Sequence, residues 1–442
     1  MTTGDTMLSS PGQAAPAPDS AQEVHLARIE SREARSHRIS TSILIAIMAV
    51  LMLALVPRTS GTAQFSFLDS LSGKDLGTAK LPGLPTVLVS GILCALAAVA
   101  FAFKRSHGWI GTIAGVVAGV TVVVGLFTWA AAGASLPFQV SSQLEGTISL
   151  ATPLILGALC GVMCERSGVV NVAIEGQMLT AAFTAALVGS MTQSIAAALV
   201  AAVLAGMLMG ALLALFTIKY LVDEVVMGVV VNLFASGLTG FLFNQLLVTD
   251  AEKYNAAPIM EPIAIPGLSR IPFLGPILFN QTVLVYIGFL CIALVWFLLW
   301  RTRWGLRIRS VGEHPEAADT VGISVTAVRW SAVLVGGVFA GLGGAYFTIG
   351  TVGAFSKNIT VGNGFIALAA LIMGRWKPGQ AALMALFFSF VTQLSTELGP
   401  LGTPMPSQVL LLLPYIATIV AVAGLVGKVR APAADGTPFV KE

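Results

Sequence analysis

Long apolar runs alternate with short polar turns along the chain, and each run has the length of a membrane-crossing helix. They fall at 41–56, 84–103, 109–131, 147–164, 172–190, 195–218, 225–247, 282–300, 330–350, 361–374, 380–398 and 408–427. A bilayer core of ~30 Å asks for ~20 such residues per helix. The pattern therefore predicts an all-α, polytopic transmembrane bundle of about 10–12 spans. Composition agrees, since 56% of the 442 residues are hydrophobic and 10% are charged, against roughly 25% charged in a soluble domain.

Residues 1–20 are rich in Pro, Ala, Ser and Gly and read as a disordered tail. Arg28, Arg32 and Arg35 recur at helical spacing, which predicts a basic helix at the membrane surface within 24–40. Residues 41–144 then supply three additional spans, 145–427 a core, and 428–442 a second tail. With the N-terminus inside, the 24 Lys and Arg divide 18 inside to 6 outside, and this bias predicts both termini in the cytoplasm. A formal charge of +3 is too small to suggest a nucleic-acid partner, and the partner composition points to is membrane lipid.

Two polar segments are long enough to do more than connect. The outer one, 248–281, carries Pro258, Pro262, Pro266, Pro272 and Pro276 and should be extended and stiff. The inner one, 301–329, contains Glu313-His314-Pro315-Glu316-Ala317-Ala318-Asp319. Pro315 fits the first turn of a helix, Glu316 and Asp319 favour its positive end, and Gly322 can terminate it, so a short cytoplasmic helix is expected at 313–323.

No phosphate-cradling Gly-Lys-Ser/Thr loop, HExxH or paired CxxC occurs, so any energy source lies elsewhere and no cofactor or metal is expected. Cys94, Cys160, Cys164 and Cys291 all sit in apolar runs, which argues against a disulfide framework or structural zinc. Among the few charges in or beside spans, Glu175 is the deepest. Such a carboxylate either bonds Ser167, Asn171 or a free backbone amide beside a helix break, or lines a solute path. The stretch 165–176 reads either as a cytoplasmic turn or as that break. Asn232 and Asn363 can contact a polar solute or tie helices together. Phe365 and Trp376 can stack on a ring or anchor a span end. Gly206 with Gly210, and Gly337 with Gly341, have the spacing for close helix packing. Candidate path residues are thus Asn171, Glu175, Asn232, Asn363 and Phe365.

Three stretches carry a resemblance: Ala151-Thr152-Pro153-Leu154-Ile155 with Glu165-Arg166-Ser167-Gly168-Val169-Val170-Asn171 and Glu175-Gly176; Trp304-Gly305-Leu306-Arg307 through Gly312-Glu313 into Pro315-Glu316; and Gly362-Asn363-Gly364-Phe365 through Gly374. In colinear order over about 145–427, they resemble permease subunits of bacterial ABC importers of the branched-chain amino acid and ribose group, in the nucleoside and simple-sugar branch. The resemblance implies a bundle of two related halves that imports nucleosides or simple sugars across the bacterial plasma membrane by alternating access. It implies a separate ATPase subunit docked through Glu313, His314, Pro315, Glu316 and Asp319. It also implies a second, related permease chain and a solute-binding lipoprotein on the outer side at 248–281. The rival readings are an ion-coupled secondary carrier of a small polar solute and a structural membrane protein without a path.

Overall fold

The computed structural model describes residues 32–68, 73, 75–103, 109–134, 136–401, 412 and 430–441. The expected N-terminal tail and the expected span at 408–427, apart from Leu412, lie outside the described residues. Helix α1 (Arg32–Leu55) runs without interruption from the basic segment into the first apolar run, rather than as a surface helix followed by a span. Nothing in Arg32–Leu55 breaks it, because the stretch holds neither Gly nor Pro.

Next come strands β1 (Thr62–Leu68) and β2 (Asp75–Pro82), helices α2 (Gly83–Ala102) and α3 (Trp109–Ala131), and strand β3 (Phe138–Gln139). β1 pairs antiparallel with β2 and parallel with β3, a small sheet added to the helical bundle that the apolar runs predict. Its signal is a short period of two, with Ala63 and Phe65 turned inward, hidden between two longer runs. Phe65 meets Phe138 edge to face at 6.0 Å. Trp129, Leu394 and Leu398 complete this cluster, which joins the first three helices to the core.

The core begins with α4 (Val140–Glu165), α5 (Ile174–Thr192), α6 (Ile195–Ala214) and α7 (Glu224–Leu242). The proline-rich loop holds α8 (Ala251–Tyr254), β4 (Ile263–Ala264), α9 (Leu274–Phe279) and β5 (Asn280–Gln281). Then come α10 (Val283–Arg301), α11 (Arg303–Glu313), α12 (Pro315–Thr320), α13 (Val325–Tyr346), α14 (Asn363–Met373) and α15 (Pro378–Leu398). Among the described residues nine helices are long and apolar enough to cross a membrane. The central two, α4 and α13, are 89% and 72% buried over their apolar windows, against 33% for α6 and α10. α5 is central too, and Glu175, Gln177, Thr180 and Thr184 are tolerated in it because protein, not lipid, surrounds it. Glycines set the closest approach: a Cβ on Gly206 would lie 2.4 Å from the carbonyl oxygen of Gly337, and one on Gly341 2.7 Å from that of Ala202.

The bundle has a sheet face, with β1–β3 and the start of α4, and a basic face, with Arg166, Arg375, Lys377 and α11–α12. α4 ends at the basic face in a left-handed Gly168 (φ 84°), with the Val169 amide bonding the Cys164 carbonyl. The chain then returns into the bundle, so 165–176 is both a turn and a break, and α5 starts inside. α13 runs antiparallel to α4, Gly336 packing on Cys160 and Cys164 and Gly343 on Pro153 and Leu156. It too is followed by a break, 353–362, and by a helix that starts inside, α14. The same plan is thus laid down twice in opposite senses. Eleven residues make α14 ~16 Å long, about half the ~30 Å hydrocarbon core. Its far end lies at the basic face, where Arg166 Nε donates to the Trp376 carbonyl at 3.0 Å, so its N-terminus sits at mid-depth.

Candidate functional site

The two inward-starting helices meet at their N-termini, and a carboxylate stands between them. Glu175, in the first turn of α5, accepts from Thr360 Oγ1 at 2.5 Å, the Gly362 amide at 2.9 Å and the Gly364 amide at 2.7 Å. Helix starts leave backbone amides unpaired and carry a partial positive charge. A carboxylate from another helix therefore satisfies α14 where its own N-cap, Gly362, offers no side chain. The approach is tight, since a Cβ on Gly364 would lie 2.5 Å from the Glu175 backbone. The loop leading in is strained, with the β-branched Val361 in the left-handed region (φ 45°).

The break before α5 is held by side chains acting as backbone. Asn232 on α7 donates to the Val172 carbonyl at 2.9 Å and accepts the Gly176 amide at 2.7 Å, which uses both ends of its amide. Asn171 is fully buried; its Nδ2 lies 3.3 Å from Cys160 Sγ, Cys164 Sγ and Gln177 Oε1, and its Oδ1 accepts the Ala173 amide. Asn171 is buried with both polar atoms engaged, whereas the half-buried Asn232 keeps a second Nδ2 hydrogen. Asn363 differs: it is half-buried, and its side chain has no hydrogen-bond partner among the described residues. Phe365 is 48% exposed and Val361 74%, so the open flank of the junction is an aromatic face beside an unused amide.

At the basic face α11 and α12 meet in a kink at His314, whose amide bonds the Ser310 carbonyl and whose carbonyl accepts the Ala318 amide. Pro315 opens α12 and Gly322 (φ 83°) follows its end. Glu313, His314 and Glu316 are exposed, Asp319 is partly covered, and Ala318 anchors the helix inward. Gly312 lies against the Arg166 carbonyl, 2.2 Å from where its Cβ would be, so the segment presses on the α4–α5 turn. Trp300 lies between the Arg166 and Arg309 guanidiniums at 5.6 and 5.7 Å. Burial lowers the proton affinity of Arg166, the Glu313 charge opposing this and Arg309 adding to it.

The family model for the permease component of branched-chain amino acid transport systems matches residues 143–422. The chain belongs to this permease family. The permease is similar to the guanosine ABC transporter permease protein NupQ of Bacillus subtilis, 43% identical over 310 residues that cover 67% of this chain and 96% of the relative. It is similar to the nucleoside ABC transporter permease protein NupC of Lactococcus lactis, 41% over 304 residues, 66% of this chain and 94% of the relative. It also resembles the guanosine ABC transporter permease protein NupP of Bacillus subtilis, 26% over 306 residues, 65% and 85% of the two chains. No solved structure matches it. These are transport subunits, not enzymes, so the permease is a multi-pass membrane component of an ABC transporter rather than an ion-coupled carrier or a structural protein. The family match begins at Gln143, after α1–α3 and the sheet.

Of the five path candidates, the permease gathers Glu175, Asn232, Asn363 and Phe365 around one junction and sets Asn171 one layer inward. Sequence reasoning missed Thr360 as a partner of Glu175. It had singled out the adjoining Gly362-Asn363-Gly364, whose glycines make the approach possible.

Proposed function

We propose that this permease imports nucleosides, driven by ATP hydrolysis on a separate ATPase subunit. The observation that carries the reading is the mid-depth junction, where two helix N-termini share Glu175 and leave Asn363 and Phe365 on the open side. A nucleoside offers what that flank lacks, a flat ring for Phe365 and polar edges for the Asn363 amide. The names of the relatives support the same solute class. In this reading the basic face is cytoplasmic, both termini lie there, and the membrane is the bacterial plasma membrane. The ATPase docks on Glu313, His314, Pro315, Glu316 and Asp319, and a solute-binding lipoprotein delivers solute at 248–281. The path is closed by a second permease chain, most simply a different, related one, as the separately named NupQ and NupP suggest. Alternating access then consists of opening the Glu175 junction toward one face at a time.

The test is uptake of labelled guanosine, uridine and glucose by cells with and without this chain. Loss of nucleoside uptake with glucose uptake intact is expected. Loss of glucose uptake alone would replace the nucleoside by a simple sugar.

A further inference from the structure

Residues 430–441 lie across the basic face and touch elements that are far apart in sequence. The Ala434 amide donates to the Gly312 carbonyl at 2.9 Å, and the Ala433 amide to Glu313 Oε2 at 3.3 Å. Lys441 Nζ pairs with Asp319 Oδ1 at 3.2 Å. These contacts hold the end of α11 and the exposed helix α12. On its other side the same segment meets the α4–α5 break. The Ala434 carbonyl lies 3.0 Å from where a Cβ on Gly168 would be, and a Cβ on Gly436 would lie 3.3 Å from Val170. Arg329 of α13 donates to the Thr437 carbonyl at 3.0 Å, and Phe439 packs against the main core.

Most of the segment is exposed, and it is anchored by few points, with Pro432 and Ala434 buried and Phe439 partly so. It is therefore a surface strap rather than a core element. α12 has six residues and buries only Ala318, so a load on it reaches the bundle through Ala318, through the chain into α13, through Gly312 and through this strap. Beyond Gly168 and Val170 the chain passes directly to Asn171 and Glu175. We propose that residues 430–441 form a strap that carries displacement of the α11–α12 segment to the α4–α5 break and so ties solute movement to ATP hydrolysis by the docked partner. This inference rests on the reading that α11–α12 is the docking surface.

The test uses the complete transporter in proteoliposomes and measures labelled guanosine imported per ATP hydrolysed. Three variants of this chain are compared with the wild type: a stop after Arg430, Ala434→Arg, which forces the strap off its buried anchor, and Glu316→Lys on the docking surface. Elements that transmit coupling typically change it by ~0.5–2 kcal/mol, so the stop and Ala434→Arg variants should lower the ratio roughly two- to thirty-fold while ATP is still hydrolysed. A wild-type ratio in both would overturn the strap. If the stop variant does not accumulate, Ala434→Arg decides; if neither accumulates, the segment is a folding element and the strap is likewise overturned. Glu316→Lys reports on docking alone: lost stimulation there with normal ratios in the strap variants sinks only the strap, whereas normal stimulation there sinks the docking reading.

Discussion

Glu175 in the first turn of α5 accepts the backbone amide of Gly364 in the first turn of α14 at 2.7 Å, so two helices pointing to opposite faces are joined through one carboxylate. With Thr360 and Gly362 also bound, the charge is compensated by three donors and two helix starts. An uncompensated carboxylate at this depth would cost several kcal/mol, which is why Glu175 can sit near the middle of the bundle at all.

Replacing Glu175 by Gln keeps the shape, but the terminal NH2 then faces a donor. At least one charge-assisted bond is lost, each being worth ~1.5–3 kcal/mol. Glu175→Gln should accumulate normally, unfold at lower temperature in detergent and show altered uptake affinity. Glu175→Leu removes every acceptor and should lose folded protein. A Leu variant with wild-type abundance and transport would show that the junction does not depend on this carboxylate.

The glycine contacts separate two kinds of position. At Gly206 any Cβ meets the Gly337 carbonyl at 2.4 Å, and backbone on a central helix cannot yield. Gly206→Val should destabilise by about 1–3 kcal/mol or more and reduce abundance. Gly237 on α7 has nothing within 4 Å of its Cβ direction. Gly237→Ala should be neutral or stabilising by up to ~1 kcal/mol. Thermal unfolding of the two purified variants checks the contrast, and equal effects would mean that helix packing does not discriminate the sites.

Much of the bundle is legible from the chain because a membrane span is a local property, written in some twenty consecutive residues. Glu175 is legible for the same reason, as a lone charge in an apolar run. Its partners are not, since Thr360 and Gly364 lie 185 and 189 positions away and only the fold brings them near. Asn171 and Asn232 are legible as polar groups in apolar runs, but their bonds to the helix break, where backbone groups need partners that lipid cannot supply, appear only in the fold. The sheet is missed because β1 is a short alternation between long runs. Residues 430–441 read as part of a tail, and their contacts with Gly312 and Gly168 are visible only in the fold.

The proposed orientation rests on the distribution of Lys and Arg and is directly testable. A reporter active only in the cytoplasm should be active when inserted near His314 or fused after Glu442, and silent near Ala264. Activity at Ala264 would reverse the assignment of the two faces and move the docking surface to the outside.

Seating of the strap should depend on pH through Asp435. Burial pushes its carboxyl up to about 7, the Glu224 charge adding to this and Arg329 opposing it. The charged groups facing this corner are Glu165 from α4, Glu224 from α7, Arg329 from α13 and, beside the strap, Glu313 from α11. The seated strap therefore holds a proton that the free strap, with an ordinary aspartate, gives up near pH 4. Seating is tightest at low pH, weakens as the pH rises from about 4 to about 7, and is level above that. Between pH 6 and pH 8 the seated-to-free ratio should fall roughly tenfold. A spin label on Val440, which is 65% exposed, should become more mobile over that interval. Asp435→Asn fixes the neutral form and should leave the label immobile at both values. A wild-type label whose mobility is the same at pH 6 and pH 8 would show that Asp435 does not govern the strap.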